Sequence, residues 1–124
     1  MSDDTADMPL LVILRHAPHD GSWLREGLDV ALVAAAFGRA VTLLFMGDGV
    51  EALRPGQTAG PLGQKGTHPT LDMLAMYDIE DLRVDATSLA ERGLSTAELP
   101  WPARSVAAEE LPAVIAAASP VFNF

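Results

Sequence analysis

Leu10-Leu11-Val12-Ile13-Leu14 follows Pro9 as an unbroken apolar run, and such a run leaves few folds open. A strand with one face in water alternates apolar and polar residues, whereas a strand buried on both faces does not. The run therefore predicts an interior strand of a parallel sheet, which requires crossover connections. One follows at once. Arg15 to Gly21 is polar and turn-rich, and from Ser22 to Phe37 the residues Leu24, Leu28, Ala31, Leu32 and Ala35 keep helical spacing. Glu26 falls in the first turn, where the helix dipole favours a carboxylate, and Gly38 stands where helices stop. A second apolar run, Ala40 to Met46, closes on Gly47-Asp48-Gly49. This is a strand–helix–strand unit with an expected right-handed crossover.

The pattern then continues in weaker form. A short helix is predicted over Val50 to Leu53. Pro55 to Gly66, with four glycines and two prolines, reads as a mobile surface loop. Pro69 opens a helix that carries Leu71, Leu74 and Ala75 to about Tyr77. Leu82-Arg83-Val84 reads as a brief third strand. Ser88-Leu89-Ala90-Glu91 matches a capping box, and Gly93 ends the helix that follows. Ser95 to Pro102 reads as loop, Ala103 to Ala107 as a strand, and Glu109 to Ala118 as a helix with Pro112 in its first turn. Val121 to Phe124 makes a last, edge strand.

Strands interleaved with helices predict a single-domain α/β fold, an open, mostly parallel five-stranded sheet with helices on both faces. The domain is expected over residues 9–124, after a disordered acidic N-terminus at 1–8. In the flavodoxin-like strand order the switch point lies between the first and third strands. The loops opening there are Arg15–Gly21 and Asp85–Ser88.

Composition narrows the chemistry. The 124 residues contain no cysteine, which excludes disulfides, thiolate metal sites and any sulfur nucleophile supplied by this chain. Eight Lys+Arg against seventeen Asp+Glu leave a net charge of −9, a surface that repels nucleic acid and anionic lipid. Met1-Ser2-Asp3-Asp4 is not a basic leader, and the apolar run Met8 to Leu14 is too short to span a bilayer. The expected location is the cytoplasm.

Gly60-Pro61-Leu62-Gly63-Gln64-Lys65 lacks the Gly-Lys-Ser/Thr order of a phosphate loop. His16, His19 and His68 with Asp48 or Asp85 contain enough ligands for a metal, but their spacing is not that of a helical pair, so no metal site and no cofactor is assigned. Arg25 and Asp29, four residues apart on the first helix, read as a surface ion pair. Ser88 reads as a helix cap and not as a nucleophile. Asp85 ends the third strand just before a helix N-terminus, as a cap and a fixed negative charge. The crevice candidates are thus His16, His19, Asp48, Asp85 and Ser88.

Ala17-Pro18-His19 followed by Arg25-Glu26-Gly27-Leu28-Asp29 resembles a stretch of the TusC/DsrF branch of the DsrE-like sulfur-relay proteins. Asp48-Gly49-Val50, Leu53 with Pro55-Gly56-Gln57, Tyr77-Asp78-Ile79-Glu80, and Ser88-Leu89 with Glu91-Arg92-Gly93-Leu94 match in the same order. The likeness runs from about Leu10 to Phe124. It implies a DsrE-like fold and a place beside TusB-like and TusD-like paralogues in a dimer of heterotrimers. Such a complex relays persulfide sulfur, through a TusE-like acceptor, toward 2-thiolation of the tRNA wobble uridine; DsrE, DsrF and DsrH are the counterparts in sulfur oxidation. In that family the sulfur-carrying cysteine belongs to the TusD/DsrE subunit, and Asp85 falls at the matching position here.

The resemblance and the missing cysteine together imply a non-catalytic subunit, without direct contact to nucleic acid or membrane. Trp23, Met73, Met76 and Tyr77 are its candidate interface residues, and an interface left without its partners favours self-association. A free-standing ligand- or metal-binding module using His16, His19 and Asp85 is the alternative from another class. A hydrolase ranks last, because no nucleophile–base pair is present.

Overall fold

The apolar run after Pro9 becomes strand β1, Leu10–Leu14, with every side chain buried. The computed structural model describes residues 8–55 and 68–124. The expected loop at Pro55–Gly66 lies outside these residues except for Pro55, as does the N-terminus before Met8. Helix α1, Trp23–Ala36, presses Leu24, Gly27, Leu28 and Ala31 against the sheet. It stops at Phe37, where Gly38 takes a φ of +88° that a side chain would resist. Strand β2, Val41–Phe45, is again buried throughout and pairs in parallel with β1, from Leu10 beside Val41 to Leu14 beside Phe45.

The remaining elements are shorter. A 3-10 turn spans Gly47–Leu53, longer than the predicted Val50–Leu53 helix and wound more tightly. The helix expected through Tyr77 divides into α2, His68–Asp72, and a 3-10 turn, Leu74–Tyr77. Asp78 closes that turn at a φ of 62°, so the amides of Asp78 and Ile79 bond back to the carbonyls of Ala75 and Leu74. Strand β3 is Asp81–Asp85 and helix α3 is Ala86–Glu91. A 3-10 turn at Thr96–Glu98 interrupts the predicted loop, and β4 follows at Arg104–Val106. The last helix also divides, into a 3-10 turn at Ala108–Glu110 and α4, Leu111–Ala116, before strand β5, Val121–Asn123.

The sheet order is β4-β3-β2-β1-β5, and all four pairings are parallel. This is not the flavodoxin-like order, because β2 separates β1 from β3. The chain steps one way from β1 to β4 and reverses only to place β5 beyond β1. With one handedness for every crossover, that reversal sends α4 to the opposite face. Accordingly α1, the Gly47–Leu53 turn, α2 and α3 share one core with Val12, Leu43, Phe45 and Val84, whereas Leu111 and Ala118 meet Leu11, Ile13 and Leu44 behind the sheet. Connections leave adjacent strands toward opposite faces at β3 and β4. The switch point therefore lies there, at the C-terminal ends where Asp85 is in register with Val106.

α4 packs behind β1 and β2. Toward β3 and β4 the back of the sheet is polar. Thr42 Oγ1 donates to Asp81 Oδ2 at 2.8 Å, and Asp81 is paired with Arg83 at 3.0 Å and Arg104 at 3.4 Å. Burial alone would push the Asp81 carboxyl up, but hydrogen bonds from Arg83 and Thr42, Arg83's charge and the Arg104 contact hold it below its ordinary 3.8. No helix among the described residues is long and apolar enough to cross a membrane.

A carboxyl whose pKa is lowered by folding contributes stability above its unfolded value and loses it as pH falls through the folded one. Asp81→Asn should therefore lower the urea midpoint at neutral pH and flatten the acid-induced loss below about pH 4. Parallel wild-type and variant curves would show that Asp81 carries no such linkage.

Candidate functional site

The C-terminal edge of a parallel sheet collects the loops that follow its strands, and here the loops after β2 and β3 are fastened together. Asp85 has extended dihedrals and is the N-cap of α3, its Oδ2 accepting the Ser88 amide at 3.2 Å. The Ser88 hydroxyl donates to the same oxygen at 2.5 Å and accepts the Gly47 amide at 2.9 Å. Asp85 and Ser88 are both buried. The other Asp85 oxygen, Oδ1, is buried with no hydrogen-bond partner among the described residues.

The capping box read at Ser88-x-x-Glu91 is thus corrected. Asp85 caps the helix, and Ser88 sits inside its first turn as the link to the loop after β2. The strand's extended backbone ends at Asp85, so the helix opens three residues earlier than a cap at Ser88 would allow. Close contact makes the join tight. Gly49 lies so near the Leu14 carbonyl that a Cβ would collide with it.

Arg92 is the residue that the candidate list missed. Its guanidinium donates to the Ser88 carbonyl at 3.0 Å and pairs with Asp48 at 2.7 Å, with Glu51 3.9 Å away. Glu51 is held by Arg54 at 2.7 Å. The Arg54 hydrogen bond outweighs burial and, with the two arginine charges, lowers the Glu51 pKa. Arg92 follows Ser88 by one helical turn, a spacing that could have pointed to it.

The structure brings Asp48, Asp85 and Ser88 together through Gly47 and Arg92. It does not gather the histidines around them. His16 stacks on Trp23 with ring centroids 5.2 Å apart and an interplanar angle of 18°, and its Nδ1 is buried without a partner among the described residues. His19 is exposed, and the side chain of His68 lies outside the description. Among the described residues, no three His, Asp or Glu side chains are grouped so as to hold a metal ion. Arg25 and Asp29 are exposed, and no ion pair joins them. Chemically, the arrangement is a buried carboxylate and hydroxyl that clamp two loops.

The interface candidates are all exposed but lie at two ends. Trp23 opens α1 at the C-terminal edge of the sheet. Met73, Met76 and Tyr77 precede β3 at the N-terminal edge, where the Leu74–Tyr77 turn packs against α1. Val33 on α1 and Phe37, just past its end, are exposed as well and were not among the candidates.

The sequence profile described as the DsrE/DsrF-like family matches residues 8–124, and the chain belongs to that family. It is 44% identical over 90 residues to a protein named TusC homolog from Pseudomonas aeruginosa, covering 73% of this chain and 76% of that one. A second TusC homolog, from Vibrio parahaemolyticus, is 36% identical over 115 residues, which is 93% of this chain and 98% of the relative. The crystal structure of the ychN protein of E. coli shares the fold at a TM-score of 0.81 and 22% identity, covering 94% of this chain and 99% of that one.

Removing the cap should cost stability. Asp85→Ala should destabilise by about 1–2 kcal/mol, and Ser88→Ala by a similar amount because the Gly47 amide loses its acceptor. Urea unfolding of both single variants and the double variant checks this. The double loss should be at least about 0.5 kcal/mol smaller than the sum, and strict additivity would show that the two do not share a network.

Proposed function

We propose that this chain is a non-catalytic subunit of a heteromeric sulfur-relay complex of the TusBCD/DsrEFH kind, in which persulfide sulfur travels on a cysteine of a TusD/DsrE-like sister subunit. The observation that carries the reading is Asp85. Its oxygen is committed to capping α3 and the chain contains no cysteine, while the resemblance implies that Asp85 stands where the family's sulfur-carrying cysteine does. Its role is to complete the assembly and shape the sister subunit's site. TusB-like and TusD-like paralogues are its partners in the cytoplasm, with a TusE-like acceptor reached through the complex.

The product we favour is tRNA thiolated at the wobble uridine, supported by the TusC homologs among its relatives. A net charge of −9 leaves contact with tRNA to other members. Sulfur oxidation is the second reading, favoured by the DsrF half of the family's description. Residues 9–124 act in this role as one domain, with Trp23, Met73, Met76 and Tyr77 as candidate contacts.

Deleting the gene from its host should reduce 2-thiouridine in bulk tRNA to a small fraction of its normal level, measured by mass spectrometry of nucleosides. The wild-type chain should restore it, and so should Asp85→Ser, which keeps a capping oxygen. Unchanged 2-thiouridine in the deletion strain would overturn the tRNA reading and leave sulfur oxidation.

A further inference from the structure

A cavity of about 350 Å³ opens at the N-terminal edge of the sheet, at the opposite end from Asp85. Its floor is Leu74, Ile79 and Leu82, all buried. One wall is Trp101, whose indole Nε1 donates to Asp72 Oδ1 at 3.0 Å and so joins the loop before β4 to α2. The volume suits one or two large side chains and is at the lower end for a small-molecule site. Asp72 and Glu80 stand among the lining residues, and among the described residues no cation does. The chain's arginines are largely committed elsewhere: Arg39, Arg54, Arg83, Arg92 and Arg104 each bind an acceptor on this chain.

The turn that lines the mouth also carries exposed apolar residues. Ala75, which lines the cavity, belongs to the same 3-10 turn as Met76 and Tyr77. Met76 is 80% exposed, and Phe37, just past the end of α1, is 86% exposed. A small ligand would leave that surface in water, whereas a protein segment covers both. Methionine suits such a surface because its side chain adapts to the shape laid on it.

We infer that this cavity and the Leu74–Tyr77 turn beside it form the docking site for a segment of a partner protein that carries an apolar anchor side chain flanked by lysine or arginine. Resting on the subunit reading above, this places one contact with a sister subunit at the N-terminal edge of the sheet. The anchor enters between Leu74 and Trp101, and its basic neighbours meet Asp72 and Glu80. A second copy of this chain is the wrong occupant, because it would bring its own acidic rim and a charge of −9 to the same place.

The test is recovery of the sister subunits with the tagged full-length chain from its host. Ala75→Trp fills the mouth and Glu80→Arg reverses the rim. Both positions are exposed, so circular dichroism and the melting temperature should match the wild type. Each variant should lower sister-subunit recovery about tenfold, equivalent to about 1.4 kcal/mol, whereas Glu109→Arg, on the other face of the sheet, should not. If both cavity variants recover their partners at wild-type stoichiometry, the docking site is wrong and the subunit reading stands. If the wild-type chain recovers no sister subunit, the subunit reading fails and the docking site with it. If Ala75→Trp instead splits a dimer of the isolated chain into monomers, the occupant is a second copy and the inference is overturned.

Discussion

Everything else in this protein hangs on the β1–β2 ladder. Five residues of each strand pair in parallel register, and all ten side chains are buried. A fully buried leucine or valine contributes about 1.5–3 kcal/mol, whereas an exposed ion pair such as Arg92–Asp48 contributes about 0–1 kcal/mol. The ladder and the faces packed on it therefore dominate the fold, and the charged contacts only trim loop positions. Parallel pairing also forces the topology, because each strand must be reached by a crossover and the crossovers share one hand. The order β4-β3-β2-β1-β5 then puts α4 behind the sheet, alone among the described helices, and the switch point between β3 and β4.

That topology explains why Asp85 sits where it does and what it can do there. A residue at the end of β3 ends a strand and begins a helix, so its side chain is set to cap α3. In a relay that carries sulfur on a thiol, the same place at the switch point suits a cysteine, with an amide-rich helix start beside it. A carboxylate uses those amides as its own partners. Asp85 thus holds the loops after β2 and β3 together, through Ser88, Gly47 and Arg92.

What was legible in the sequence was local. The apolar run at Leu10–Leu14, the helical spacing up to Ala35 and the stop at Gly38 each follow from neighbouring residues, and β1, α1 and β2 lie where those signals put them. The strand order was not legible, because nothing near β3 records that β2 separates it from β1. Nor was the choice of cap, since Asp85 and Ser88 are both good capping residues three positions apart and the strand's end decides between them. The histidines looked like a cluster because two are close in sequence, yet His16 spends its ring on Trp23. The cavity was invisible for the opposite reason, as Asp72 and Trp101 meet only once the sheet is built.

In the proposed role this chain is a necessary partner that never holds the sulfur, and one measurement addresses both halves. The complex, charged with radioactive sulfur from cysteine by a cysteine desulfurase, is separated into subunits under non-reducing conditions. The label should sit on the cysteine-bearing sister subunit and be absent from this chain, and it should fall sharply when the sister subunits are charged without it. Radioactive sulfur bound to this chain, or full labelling of the sister subunits in its absence, would contradict the account.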